Sequence, residues 1–342
     1  MTTSTLSAKP NALVEAFQRR RVGPYLFVIG FGLAVLFIFG PEQFINALTK
    51  GGIYALVALG YTMVYGIIEL INFAHGDVFM VGAFVSLFVL TSVLGQQGPA
   101  ADPLMMLVII GIDCLITGVV MGVIGMTIER FAYRPLRNAP RLAPLITAIG
   151  VSFILINIIQ ILYGPSPINT PQIIPPTARV EIAGVSIGWI NIFIIGLSVA
   201  LMVGLQVFVS RTKLGRAMRS TAQDREAAQL MGVDINRTIA ATFFIGSALA
   251  GVAGVVQGLY LGNISFTLGF QSGLKAFTAA VLGGIGNIAG AALGGFVIGF
   301  VEVSAAASGF NVWGQAAVFV VLIMTLIFRP SGLLGQQLGE RA

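Results

Sequence analysis

Glu69, Asn72, His75 and Asp77 fall within nine consecutive residues, setting two carboxylates, an amide and the only imidazole of the chain ahead of a long apolar run. Such a set can do two kinds of work. Ionisable groups near membrane depth are costly to desolvate and face protein or a water-filled cavity, so Asn72, His75 and Asp77 are candidates for a polar gate or pathway lining. An imidazole in such a place can also respond to pH. The plainer alternative is a satisfied connector between two helices, with Gly76 permitting the turn. A second set, Thr278 with Gly283, Gly284 and Asn287, clusters in a glycine-rich apolar stretch and is a further candidate for the pathway. Asp113 and Glu302 stand alone in apolar runs, each suited either to a buried polar partner or to the pathway.

Catalysis is poorly supplied. No GxxxxGK[ST], HExxH or GxSxG pattern occurs, so ATP is not held by a P-loop on this chain. The single cysteine, Cys114, excludes an intrachain disulfide, a thiolate metal cluster and a CxxC redox pair, and the single histidine excludes a His-rich metal site. No cofactor and no metal are expected, nor enzymatic activity.

Residues 210–237 have docking chemistry. Six basic side chains (Arg211, Lys213, Arg216, Arg219, Arg225 and Arg237) surround a run of good helix formers over 222–231, with Ser220 or Thr221 as the expected N-cap and Gly232 as the stop. A short exposed helix between two membrane spans suits a partner protein. A solvated basic loop is the alternative.

The elements that position these groups follow from composition. The chain of 342 residues is 56% hydrophobic and 9% charged, with mean hydropathy +0.94. Soluble domains carry about 25% charged residues, so the principal solvent here is the lipid bilayer. The net charge of +6 does not indicate nucleic acid, because the basic residues flank apolar spans. A helix needs about 20 apolar residues to cross the hydrocarbon core. Such runs lie near 23–40, 44–67, 78–94, 104–128, 142–163, 189–209, 238–260 and 312–328. The fold class is therefore all-α polytopic, with about eight full transmembrane helices. The first run follows Arg19, Arg20 and Arg21 but is too long for a signal-peptide core and lacks a following cleavage pattern, so an uncleaved helix is expected.

All but Lys50, Arg179 and Lys275 of the 19 Lys and Arg residues fall in four segments: the N-terminal tail, 129–141, 210–237 and the C-terminal tail. Counting spans puts all four on one face. The positive-inside rule then makes that face, and both termini, cytoplasmic. With 238–260 running outward and 312–328 running inward, the stretch 273–304 must leave and return on the outer side. A short helix near 273–282, a break at 283–287 and a return helix from Ile288 satisfy this; two short crossings also would. Lys50 and Lys275 lie near outer ends, where long side chains snorkel. Rows of glycine spaced by four (Gly286, Gly290, Gly294; Gly295, Gly299; Gly254, Gly258) read as packing seams. The proline-rich loop 164–188 is the only sizeable outer segment, and its alternation over 180–187 suits a small hairpin or cap.

Four motifs in order carry a family resemblance. GYTMVYGIIELINFAHGD at 60–77, IERFAYRPLR at 128–137, EAAQLMG at 226–232 and GLKAFTAAVLGGIGN at 273–287 resemble LivH-type permeases of branched-chain amino acid ABC transporters. The third also looks like the EAA-x-x-x-G loop of ABC importer permeases, without the later part of its longer form. The resemblance covers about 43–335, leaving 1–42 as an N-terminal tail with an extra helix and 336–342 as a tail. It implies that Ala222, Asp224, Glu226, Ala227, Ala228 and Gly232 form the coupling helix that docks on an ATPase. The implied partners are a related second permease, two ABC ATPase subunits and a periplasmic binding protein, at the bacterial inner membrane. The implied substrate is a branched-chain or similar small amino acid. Relatives of this type also handle urea and short amides, and an ion-coupled secondary transporter is the alternative of a different class.

Overall fold

In lipid a backbone must satisfy its own hydrogen bonds, which leaves helices as the solution for apolar segments of this length. The computed structural model describes residues 23–335 apart from Ile71, Ala101, Asn138, Arg141, Pro176 and Ala183. The N-terminal arginine run and the tail 336–342 lie outside the described residues. The chain forms α1 (Gly23–Phe39), α2 (Pro41–Ile68), α3 (His75–Phe88, continued by a π-helical turn Val89–Val93) and α4 (Pro103–Ile128, continued by a π-helical turn Glu129–Tyr133 and a 3-10 turn Arg134–Leu136). Then follow α5 (Leu142–Tyr163), β1 (Ile168–Asn169), β2 (Arg179–Ile182), β3 (Val185–Gly188) and α6 (Trp189–Arg211). The remainder is α7 (Lys213–Gln223), α8 (Arg225–Leu230), α9 (Ile235–Leu261), β4 (Asn263–Ile264), α10 (Leu268–Gly283), α11 (Ile288–Ala307) and α12 (Gly314–Phe328).

Seven helical segments among the described residues are long and apolar enough to cross a membrane: α2, α3, α4, α5, α6, α9 and α11. The expected eight differ in membership. Runs 23–40 and 312–328 form helices of 17 and 15 residues, rising about 26 and 23 Å against a core of about 30 Å. The glycine-rich stretch instead contributes α11, with 20 residues. Its break falls at Gly284–Asn287, between α10 and α11.

α2 is the central pillar. Every residue from Gly51 to Val64 is buried, and α11, α9, α10 and α6 pack around it. Only 17% of the apolar window of α5 and 22% of that of α6 are buried, against 72% for α3 and α9, so α5 and α6 present their side chains outward. Small residues allow the close core. A Cβ added at Gly295 would come within 2.5 Å of the Ala55 backbone, and one at Gly299 within 2.5 Å of Gly51 N. On a neighbouring face of α11, Gly290 and Gly294 meet Gly283 and Ala279 of α10. Glycine spacing in α11 thus serves two seams at once, holding α2 on one side and α10 on the other.

The loop after α5 is a small cap. β2 and β3 form an antiparallel hairpin, and β1 pairs with β4 just beyond α9. The Thr170 hydroxyl donates to the Gly258 carbonyl at 2.7 Å, fixing the loop to the last turn of α9.

Candidate functional site

The connector 69–74 turns back into the bundle. Glu69 ends α2 in the left-handed region (φ 56°), the only non-glycine described residue there, and its N–H donates to the Tyr65 carbonyl. The imidazole of His75, which opens α3, lies against Gly60. Gly60 precedes the end of α2 by eight residues, about 12 Å of helix rise. α3 therefore starts well inside the bundle, and the polar cluster is internal rather than a surface turn. Tyr61 meets His75 edge to face, with ring centroids 4.7 Å apart. Asn72 is buried and accepts from the Tyr133 hydroxyl at 2.8 Å. Asp77 accepts from Ser152 of α5 through Oδ2. Its Oδ1 and His75 Nε2 are buried without a partner. Unpaired buried polar atoms cost about 1–3 kcal/mol each, so a polar guest or a rearrangement in this region has something to gain.

Residues 212–234 form an elbow at the same end of the bundle as the end of α2. Thr212 caps α7 by accepting from Gly215 N at 3.0 Å, and Asp224 caps α8 by accepting from Ala227 N at 3.0 Å. The expected cap at Ser220 or Thr221, with one helix over 222–231, does not form. Both hydroxyls bond back to carbonyls one turn earlier, Arg216 and Ala217, so they belong to α7, and the Asp224 carboxylate takes the cap. Ala222 sits in the last turn of α7, Glu226 and Ala227 in the first turn of α8, and Ala228 is buried beneath it. Gly232 closes the turn with φ +83°. Leu230 and Met231 are 89% and 84% exposed. From the same helix, Arg225 donates to the Ile67 carbonyl in the last turn of α2 at 2.8 Å.

The glycine-rich break reaches this end too. Gly286 lines a cavity of about 80 Å³ together with Gly66 and Ala222. Asn287 caps α11 by accepting from Gly290 N and donates to the Leu334 carbonyl at 2.9 Å. Leu333 N and Leu334 N donate to Leu282 and Gly283 carbonyls at the end of α10. The 331–335 segment thus plugs into the break, where Gly284 (φ +102°) leaves no room for a side chain beside Gly335. Thr278 is buried, and its hydroxyl donates to the Leu274 carbonyl of its own helix at 2.8 Å.

Two charged clusters were not foreseen as units. Glu129 is fully buried, held by Arg134 through bonds of 3.2 and 2.9 Å and also paired with Arg137, which donates to Asn236 at 2.6 Å. Burial lowers the pKa of Arg137 from the usual guanidinium value, and Arg225 nearby acts in the same direction. The run of Glu and Arg over 129–137 was the available signal. On the other side, Glu302 pairs with Lys50 and Lys275, each at 3.0 Å, and accepts from the Tyr54 hydroxyl at 2.7 Å. The two lysines therefore anchor a shared carboxylate instead of only snorkelling. Asp113 has a local solution, accepting from Ser86 at 2.6 Å and Thr117 at 3.0 Å.

Comparison with known proteins decides the family. A model described as branched-chain amino acid transport system / permease component matches residues 43–327. The chain belongs to that permease family. The permease protein BraD of Pseudomonas aeruginosa is 44% identical over 302 residues, covering 86% of this chain and 95% of its own. LivH of Escherichia coli strain K12 is 41% identical over 303 residues, covering 88% and 97%. The probable permease LivM of Methanocaldococcus jannaschii is 28% identical over 332 residues, covering 84% and 91%. All three are named branched-chain amino acid transport permeases. This permease is a multi-pass membrane protein, and its polar connector, elbow and glycine break all fall inside the matched residues.

Proposed function

We propose that this permease is the translocation subunit of an ATP-driven importer for branched-chain amino acids at the bacterial inner membrane. It works beside a related second permease subunit, two ATPase subunits and a periplasmic binding protein that delivers substrate. The elbow, both termini and the glycine break face the cytoplasm. Support for the orientation comes from the arginine-rich segments 129–141 and 210–237, which meet at one end of the bundle through Arg137 and Asn236.

One observation carries the reading. A short capped helix presents exposed Leu230 and Met231 while Arg225, in its first turn, grips the last turn of α2. An ATPase docked on α8, with Glu226, Ala227, Leu230 and Met231 as its contact and the buried Ala228 seating the helix on the bundle, would move α2 through that bond. The connector would pass the movement on to Asn72, His75 and Asp77 as the gate. Thr278, Gly283, Gly284 and Asn287 would bend or line the adjoining pathway.

Glu226→Arg tests it. Reconstituted with its partners, that variant should insert normally and lose most ATP-driven leucine uptake, because a reversed charge at the docking helix opposes association. Unchanged uptake would remove the coupling role from α8.

A further inference from the structure

A cavity of about 190 Å³ opens between the end of α2, Tyr133, Leu136, Ala139 and Pro144 after α4, α9 and the elbow. Arg137 and Arg225 line it, and Arg134 stands beside Arg137 on the shared Glu129. Three guanidiniums thus meet the buried Glu129 and, at the cavity wall, Glu69. Asp234, which also acts on Arg134, is paired with Arg237, so among the described residues the group holds one positive charge in excess. The bond from Arg225 to the Ile67 carbonyl supplies only a neutral acceptor. The facing wall is apolar, with Ile68, Ile239 and Phe243. At roughly 30 Å³ per water the space holds about six waters, too little for a nucleotide and enough for a small molecule of about ten heavy atoms.

We propose that this cavity is a second binding site, for a small aliphatic amino acid on the cytoplasmic side. Its carboxylate lies between Arg137 and Arg225, its ammonium toward Glu69, and its side chain against Ile239 and Phe243. Arg137 keeps its terminal nitrogens on Asn236 and Glu129 and contributes charge. Arg225, bonded among the described residues only to the Ile67 carbonyl through Nη2, supplies the donors. A guanidinium matches a carboxylate geometrically, and the apolar wall rewards a branched side chain over a bare anion. The occupant ties Arg225 of α8 to the segment after α4 while α8 still grips α2. Imported product would therefore slow further movement of the elbow. The ligand class rests on the transport function proposed above; the site rests on the cavity and its charges.

The test uses the full chain in zwitterionic nanodiscs, with calorimetric titration of L-leucine, isoamylamine (the same side chain without the carboxylate) and inorganic phosphate. Leucine should bind, isoamylamine should bind at least tenfold more weakly, and phosphate should not displace leucine. Arg225→Gln should weaken leucine binding at least tenfold. Ala139→Leu, which fills the cavity and leaves every charge in place, should do the same. Unchanged leucine affinity in both variants overturns the site, and phosphate binding in place of leucine overturns the ligand class. The two readings fail separately. Normal ATP-driven uptake by a chain that binds no leucine here sinks the site alone. Leucine binding that is lost in Arg225→Gln, in a complex without uptake, sinks the transport function alone.

Discussion

At the scale of single residues, function and packing meet at Gly60 and Glu69. A Cβ on Gly60 would collide with the His75 ring and lie 2.8 Å from the Gly246 carbonyl. Gly60→Ala should therefore cost about 1–3 kcal/mol by overpacking and displace the His75 imidazole. Thermal unfolding in detergent should show a lower midpoint, with leucine uptake reduced; an unchanged midpoint would mean His75 is not held where the structure has it. Glu69 shows the opposite case. A non-glycine residue in the left-handed region costs about 1–2 kcal/mol, so Glu69→Gly should raise the unfolding midpoint while impairing uptake. A fall in stability would show that the Glu69 side chain contributes more than its backbone costs. Glu129→Gln should lower stability by about 3 kcal/mol, the low end for breaking a buried pair, since Arg134 remains partly exposed. The polar set at 69–77 was legible from residue type alone. Its depth was not, because hydropathy does not encode a connector that climbs back beside Gly60. Arg225 stayed hidden for a related reason: its partner is a carbonyl 158 positions away.

At the scale of elements, the apolar runs read correctly where they are long and uninterrupted. α5, expected at 142–163, spans Leu142–Tyr163. The break in the glycine-rich stretch was also legible, since positive-φ glycines at 284 and 286 cannot continue a helix cheaply for any other residue. The caps were harder. Ser220, Thr221 and Asp224 are all competent N-caps by type, and only the back-bonding of the two hydroxyls shows that Asp224 takes the role. Asp224→Ala should cost about 1 kcal/mol locally, loosening α8, whereas Asp224→Asn should keep it. Hydrogen exchange of the 225–231 amides checks this, with faster exchange in Asp224→Ala alone; equal exchange in both variants would contradict the cap. The 331–335 plug had no signal in hydropathy, because its bonds to Leu282, Gly283 and Asn287 exist only once α10 and α11 have folded back on each other.

At the scale of the whole molecule, a membrane-embedded bundle is joined to a basic end that carries the elbow and the glycine break. Composition made the bundle legible, and charge placement suggested the working face. The link between them, from α8 through Arg225 to the end of α2 and on to His75, needed three dimensions. The pillar α2 is buried without a break from Gly51 to Val64, so in the proposed coupling a displacement at Ile67 would travel along a close-packed helix. The most direct measurement is leucine uptake into proteoliposomes holding this permease, its second permease, the ATPases and the binding protein. Uptake should require internal ATP and the binding protein, should be indifferent to an imposed ion gradient, and should not be competed by urea or short amides. Uptake driven by an ion gradient without ATP would contradict it.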